Sequence, residues 1–216
     1  MAQFLKLATS VMKSWFGLAV IAMYIGLTAF KEGMDERIVT QAYIERFAPL
    51  AIEEMHRAGI PASIKLAQAL VESNAGRSKL ALESNNHFGI KCKAYWTGQS
   101  YYHKDDDLDN KGNLVESCFR AYNDIESSFI DHSEFLRFSG KYDRLFTIEL
   151  TDYKAWANGL KSCGYATDQS YTNKLIQTIE TYKLYRFDTF QAKEFDMPST
   201  GNAPRRVVQF TETTID

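Results

Sequence analysis

Hydrophobic positions fall along this chain in three rhythms: one unbroken apolar run near the start, helical spacing over most of the length, and alternation in one central stretch. The run is residues 14–30, SWFGLAVIAMYIGLTAF, uncharged and flanked by Lys13 and Lys31. As a helix it rises about 26 Å, enough to cross a bilayer core with its flanks snorkelling. Its exit, Gly26-Leu27-Thr28-Ala29-Phe30, makes a poor small-x-small cleavage site, which favours an uncleaved signal-anchor. Lys6 and Lys13 precede the run without an acid, whereas Glu32, Asp35 and Glu36 follow it mixed with Lys31 and Arg37. The positive-inside bias then leaves a cytoplasmic stub and puts the bulk of the chain outside. Residues 1–32 are read as stub plus anchor, with the membrane as a partner through this helix.

Helical spacing begins with Ile38, Tyr43, Phe47, Leu50, Ala51 and Met55, and Gly59 and Pro61 punctuate it. In the next helix Ile60, Ile64, Ala67 and Val71 define an apolar face, and Gln68 and Glu72 share the neighbouring stripe. That helix breaks in Ser73-Asn74-Ala75-Gly76, so Glu72 sits at a helix-to-loop corner. A carboxyl group at the edge of an apolar face suits general-acid work, because partial desolvation favours the protonated form. Residues 79–86 read as a loop. Trp96, Tyr101 and Tyr102 on one side, and Val115, Cys118, Phe119 and Tyr122 on the other, flank a polar stretch containing Asp105, Asp106, Asp107, Asp109, Asn110 and Gly112. This predicts a β-hairpin with an acidic tip. Helices follow over 127–138, 152–162 and 170–182, with Thr151 or Asp152 and Asp168 or Ser170 as caps. One domain is expected over 33–188, and residues 189–216, with Pro198, Ser199, Gly201 and Pro204 and no apolar period, read as a disordered tail.

Composition narrows the chemistry. At 216 residues and net charge −2 the chain can hold one full core, and nothing directs it to nucleic acid. Twelve Tyr and three Trp supply polar-edged rings that suit sugars and cores alike. Three cysteines show no metal spacing; one pair and one free thiol is the simplest arrangement. Cys92 and Cys118 bracket the hairpin, and a bridge between them in an exported chain would restrict the unfolded lobe by about 3 kcal/mol. The acidic run places Asp105, Asp107, Asp109, Asn113 and Glu116 at calcium-loop positions, but Asn110 stands where the required glycine belongs. No metal or cofactor is therefore expected. Ser128, Asp131 and His132 do not form a hydrolytic triad without a nucleophile elbow, and His132 reads as a buried, hydrogen-bonded histidine. A monomer is expected.

Several blocks occur together in order: Ala69-Leu70-Val71-Glu72-Ser73-Asn74-Ala75-Gly76-Arg77-Ser78, Asn86-His87-Phe88-Gly89-Ile90-Lys91, Trp96-Thr97-Gly98, Cys118-Phe119-Arg120-Ala121-Tyr122, Asp131-His132-Ser133-Glu134-Phe135-Leu136 and Gly164-Tyr165-Ala166-Thr167-Asp168. From about Ile38 to Asp188 the chain resembles the glucosaminidase family that includes the flagellar muramidase domain and bacterial autolysins. The resemblance implies an α+β, lysozyme-like fold with a helical lobe, a small β-hairpin lobe and a cleft between them. It implies cleavage of peptidoglycan glycan strands after N-acetylglucosamine, with Glu72 as general acid and Tyr165 as the active-site tyrosine. The family's second carboxylate is a hairpin glutamate; counting from Trp96 brings that position to Asp107, with Asp106 beside it, one methylene shorter. Inversion through Asp107 and retention through the substrate's acetamido group both stay open. Trp96, Tyr101, Tyr102, Phe119 and Tyr122 are candidate sugar contacts, and Asn86 and Phe88 candidate shapers of the cleft floor. A lytic transglycosylase or muramidase, and a noncatalytic glycan-binding module, are the competing readings. The expected location is the bacterial cell envelope, with the chain anchored in the inner membrane and its catalytic domain in the periplasm or outside the cell, or secreted if the signal is cleaved.

Overall fold

The computed structural model describes residues 35–108, 111–193 and 209–212, with side chains over 35–104 and 111–190. The apolar run over 14–30 lies outside the described residues, and among those described no helix is long and apolar enough to cross a membrane. The chain divides into two compact units, Met1–Ala42 and Tyr43–Asp216. In the first, helix α1 (residues 35–58) opens, with Thr40 Oγ1 donating to the Glu36 carbonyl at 2.9 Å. The second unit holds everything that follows.

Its central element is α2 (Ala62–Ser73), in which every residue from Ala62 to Leu70 is buried, Ser63, Lys65 and Gln68 included. Small and aliphatic side chains allow neighbours to approach from all sides, so the helix is a core element and not a surface amphipath. Pro61 precedes it and offers no side-chain cap. The cap arrives from 125 residues downstream, where Asp188 accepts from Ser63 N at 2.8 Å and Ser63 Oγ at 2.6 Å. At the other end the chain turns through three consecutive left-handed residues, Asn74 (φ 52), Ala75 (φ 53) and Gly76 (φ 76). Ser73 Oγ, which donates to the Ala69 carbonyl, accepts from Gly76 N at 2.7 Å and closes this turn. A Cβ at Gly76 would lie 3.0 Å from the Tyr43 ring and 3.2 Å from His87, which is why glycine stands there.

Residues 79–84, expected as loop, form a short helix, α3 (Lys79–Ser84), whose N-cap Ser78 accepts from Ala81 N at 3.2 Å. Six residues are too few for a hydrophobic period, so only the cap signalled it. The expected hairpin is present: β1 (Ser100–Leu108) pairs antiparallel with β2 (Leu114–Arg120), Tyr101 facing Phe119 and Tyr102 facing Cys118. The Cys92–Cys118 disulfide spans 26 residues at the base of this lobe, and Cys163 is a buried free thiol. Between Lys104↔Glu116 and Leu108↔Leu114 the register shifts, because β1 spends four steps where β2 spends two. This irregularity falls on Asp105, Asp106 and Asp107.

The remaining helices are α4 (Ile125–Phe138), α5 (Tyr153–Ser162) and α6 (Tyr171–Thr181), with 3₁₀ segments at Gly140–Thr147 and Leu184–Thr189. Asp124 caps α4 through Ser127 N at 2.7 Å, and Asp152 caps α5 through Ala155 N at 2.9 Å. Phe129, Leu136, Leu145, Trp156, Leu160, Leu175 and Ile179 are fully buried with Ile64 and Leu66 of α2 in one core. Within the stretch expected as a tail, β3 (Phe190–Lys193) and β4 (Gln209–Glu212) form a two-stranded antiparallel sheet. Backbone pairing needs no apolar period in the sequence.

Candidate active site

Glu72 occupies the last turn of α2, partly exposed, seven residues beyond Lys65 and four beyond Gln68. Spacings of three, four and seven put all three polar side chains on one stripe of the central helix. Two tyrosines complete the group. Gln68 Nε2 donates to the Tyr171 hydroxyl at 3.1 Å, and Tyr171 in turn hydrogen-bonds Glu72. Tyr165 and Tyr171 stack with ring centroids 5.6 Å apart, and the charge of Glu72 acts on both. Burial, reinforced by that charge, raises both phenols above their ordinary range, so each remains a hydrogen donor at neutral pH.

The loop bearing Tyr165 is held by two lysines. Lys161 Nζ donates to the carbonyls of Ala166, Thr167 and Asp168 at 3.2, 2.9 and 2.9 Å, and Lys141 Nζ donates to Gly164 O at 2.9 Å. Beneath the tyrosine lies His132, fully buried, with Nε2 3.1 Å from the Tyr165 hydroxyl. Its Nδ1 is 2.9 Å from Lys65 Nζ, and its ring stacks on Phe88 at 4.0 Å. Burial, and next the charge of Lys65, push the His132 pKa well below its usual value, so the ring is neutral. Burial likewise lowers Lys65 to about 7.

The other expected site residues lie in the hairpin lobe and the segment leading into it. Asn86 is buried and its amide is committed to backbone: Nδ2 donates to Ile90 O and Arg120 O, and Oδ1 accepts from Ile90 N and Phe88 N. Buried Phe88 packs against Phe129 and His132 of α4. Phe119 and Tyr122 are buried in the lobe as well, the latter donating to Asp131 Oδ2 at 2.6 Å. Trp96 is half-buried under Arg120, whose guanidinium lies 4.5 Å from its ring centroid while Nη1 contacts both Asp131 oxygens at 2.7 and 2.8 Å. Tyr101 donates to Glu83 Oε2 at 2.5 Å and ties β1 to α3, whereas Tyr102, on the opposite face of the hairpin, is exposed. The backbone of Asp106 and Asp107 lies in the irregular part of β1; their side chains are outside those described.

Sequence reasoning missed Lys65, Tyr171 and the Arg120–Asp131 pair. Lys65 had a signal: a lone lysine inside a run of small and aliphatic residues, one heptad before Glu72. Arg120 and Asp131 come from different elements, and nothing local links them.

A helical body whose central helix delivers an acid beside two tyrosines, with a β-hairpin lobe attached, is the α+β arrangement of lysozyme-like proteins. The chain belongs to the glucosaminidase family, described as mannosyl-glycoprotein endo-beta-N-acetylglucosaminidase, whose model matches residues 48–184. It is 31% identical over 161 residues to exo-glucosaminidase LytG of Bacillus subtilis, covering 73% of this chain and 55% of that protein. It is 28% identical to peptidoglycan hydrolase FlgJ of Pseudomonas aeruginosa over 67% of this chain and 37% of the relative. The chain thus spans about half or less of these relatives. Among solved structures, the catalytic domain of the autolysin Auto from Listeria monocytogenes superposes with a TM-score of 0.61 at 25% identity, over 73% of this chain and 96% of that domain. The glycoside hydrolase domain of Salmonella typhimurium FlgJ gives 0.55 at 28% identity, over 67% and 88%.

Proposed function

We propose that the protein is a peptidoglycan hydrolase of the bacterial cell envelope, an endo-β-N-acetylglucosaminidase that cleaves the β-1,4 bond following N-acetylglucosamine. The observation that carries this reading is Glu72, partly exposed at the end of a buried helix with the Tyr171 hydroxyl bonded to it and Tyr165 alongside. Glu72 is the general acid: it protonates the leaving oxygen as the anomeric carbon gains oxocarbenium character. Tyr165 presents its hydroxyl to the sugar at the reacting centre, in a cleft between the helical body and the hairpin.

Asp107, with Asp106 beside it, is the candidate second carboxylate. If it activates water across the cleft the reaction inverts, and if it stands too far away the substrate acetamido group serves as nucleophile and configuration is retained. No cofactor takes part in either route. Residues 14–30 anchor the chain in the inner membrane, which leaves the catalytic domain, residues 33–188, as a monomer facing the wall.

Digestion of purified peptidoglycan by wild type, Glu72→Gln and Asp107→Asn, followed by mass spectrometry of the new ends, tests the reading. Reducing-end N-acetylglucosamine is expected from wild type, with activity down roughly 100- to 10,000-fold in Glu72→Gln. Anhydro-muramyl ends would identify a lytic transglycosylase, and reducing-end N-acetylmuramic acid a muramidase. Glycan binding without any cleavage would leave only a binding module.

A further inference from the structure

Lys65 is the least expected residue of the core. It is wholly buried, and its ammonium meets three neutral groups: the Phe129 carbonyl at 3.0 Å, Ser133 Oγ at 2.5 Å and His132 Nδ1 at 2.9 Å. Burying a charge among neutral partners is costly, and a methionine would fill the same volume without that cost. The hydrogen-bond directions show what the charge accomplishes. An ammonium has three hydrogens and no acceptor, and a carbonyl only accepts. Ser133 Oγ directs its own hydrogen to the Phe129 carbonyl at 3.3 Å, so toward Lys65 it accepts too.

The third ammonium hydrogen therefore points at His132 Nδ1, which must offer a lone pair. A neutral imidazole with a bare Nδ1 carries its hydrogen on Nε2. Nε2–H lies 3.1 Å from the Tyr165 hydroxyl oxygen and donates to it. That oxygen is then an acceptor toward the core, and its own hydrogen must turn away from His132, to the side where Glu72 acts on it.

We propose that Lys65 and His132 are positioning residues for Tyr165: the Lys65 ammonium selects the Nε2–H tautomer of His132, and that tautomer presents the Tyr165 hydroxyl hydrogen to the sugar at the reacting centre. The inference rests on the hydrolase reading of Glu72 and Tyr165. It also makes the arrangement reversible. An unprotonated Lys65 amine uses two hydrogens on Phe129 O and Ser133 Oγ and accepts the third bond from Nδ1–H. Nε2 then holds the lone pair, and the Tyr165 hydrogen turns inward. Burial brings Lys65 down to about 7, with Glu54 and Asp131 opposing the shift and Arg57 adding to it. At the other end, Glu72, Tyr171 and Tyr142 face Tyr165.

The test uses the full chain labelled with ¹⁵N-histidine, together with kinetics on peptidoglycan fragments. The imidazole nitrogen shifts of His132 are expected to report the Nε2–H tautomer at pH 6 and to move toward Nδ1–H as Lys65 loses its proton; an Nδ1–H ring at pH 6 overturns the proposal. This readout needs no variant, so it stands even if Lys65→Met does not fold. Where Lys65→Met folds, kcat is expected to fall about tenfold or more with KM little changed. In a Tyr165→Phe background the same substitution is expected to cost nothing further, since both act through one hydroxyl. Additive losses, or an undiminished kcat in Lys65→Met, overturn it. If wild type releases no glycan fragments the hydrolase reading fails by itself, whereas additive losses in an active enzyme remove only the relay.

Discussion

Asp188 caps a helix from 125 residues beyond Ser63, accepting from both the backbone N–H and the hydroxyl of that residue. The last turn of the domain thereby fastens the first turn of α2. Burial outweighs these two bonds and raises the Asp188 carboxyl to about 7. A folded-state pKa above the unfolded one means that the native protein binds the extra proton, so this contribution is complete below about pH 4 and is lost as pH rises through 7. Urea denaturation at pH 5 and pH 8 is expected to show wild type less stable at the higher pH through this group. Asp188→Asn should flatten that difference, and Asp188→Ala should cost about 1–2 kcal/mol at pH 5. An unaltered pH dependence in Asp188→Asn would reject the assignment.

Gly76→Ala is expected to be disproportionately damaging for one methyl group. Its φ of 76 and the Tyr43 and His87 rings at 3.0 and 3.2 Å oppose a Cβ both conformationally and sterically. A loss of about 2–3 kcal/mol is expected from the two effects together. Because the turn follows Glu72 directly, hydrolysis should fall more than the folded fraction does. Activity measured against folded fraction checks this, and proportional losses would contradict it.

Reduction of Cys92–Cys118, or the paired change to serine, should loosen one lobe only. The bridge closes 26 residues around the hairpin and is worth about 3 kcal/mol to it. Amide exchange should accelerate in β1 and β2, whereas the buried amides of α2 keep their protection. Uniform acceleration through α2 would show that the two parts unfold as one.

Arg120 fastens the same lobe by charge. It is nearly buried, with Nη1 on both oxygens of Asp131 and its plane over Trp96. Arg120→Ala leaves the Asp131 carboxylate without its cation, the Tyr122 hydroxyl still donating to it, and should cost about 3–5 kcal/mol, and Arg120→Lys, which keeps the charge but not the fork, should recover part of it. Chemical denaturation distinguishes these outcomes, and equal losses in the two variants would show that the planar fork is immaterial.

How far the sequence led can be seen residue by residue. The stripe Ile60, Ile64, Ala67 and Val71 located α2 and left Glu72 at its end, because helical period and helix breaks are local signals. Alternation and the two bracketing cysteines found the hairpin. The tyrosine at position 165 came from a motif and not from any period. What stayed hidden were partnerships across distance: Lys65 with His132 and Ser133, Gln68 with Tyr171, Arg120 with Asp131, Ser63 with Asp188. Each joins elements that approach only in the folded chain, and the side-chain chemistry of one partner does not specify the other. Asn86, Phe119 and Tyr122 show the converse: residue types suited to sugars are here engaged in holding the lobe together.

The three carbonyls gathered by Lys161 give the tyrosine loop an unusual origin. Residues 166–168 curve as a solvation shell curves around a cation, with peptide oxygens in place of water. The path of that loop thus follows the reach of one side chain on α5 together with the packing of Tyr165 and Ala166 against the core. An engineer wishing to shift Tyr165 would count this lysine among the positions to change, since the backbone there wraps the charge it surrounds.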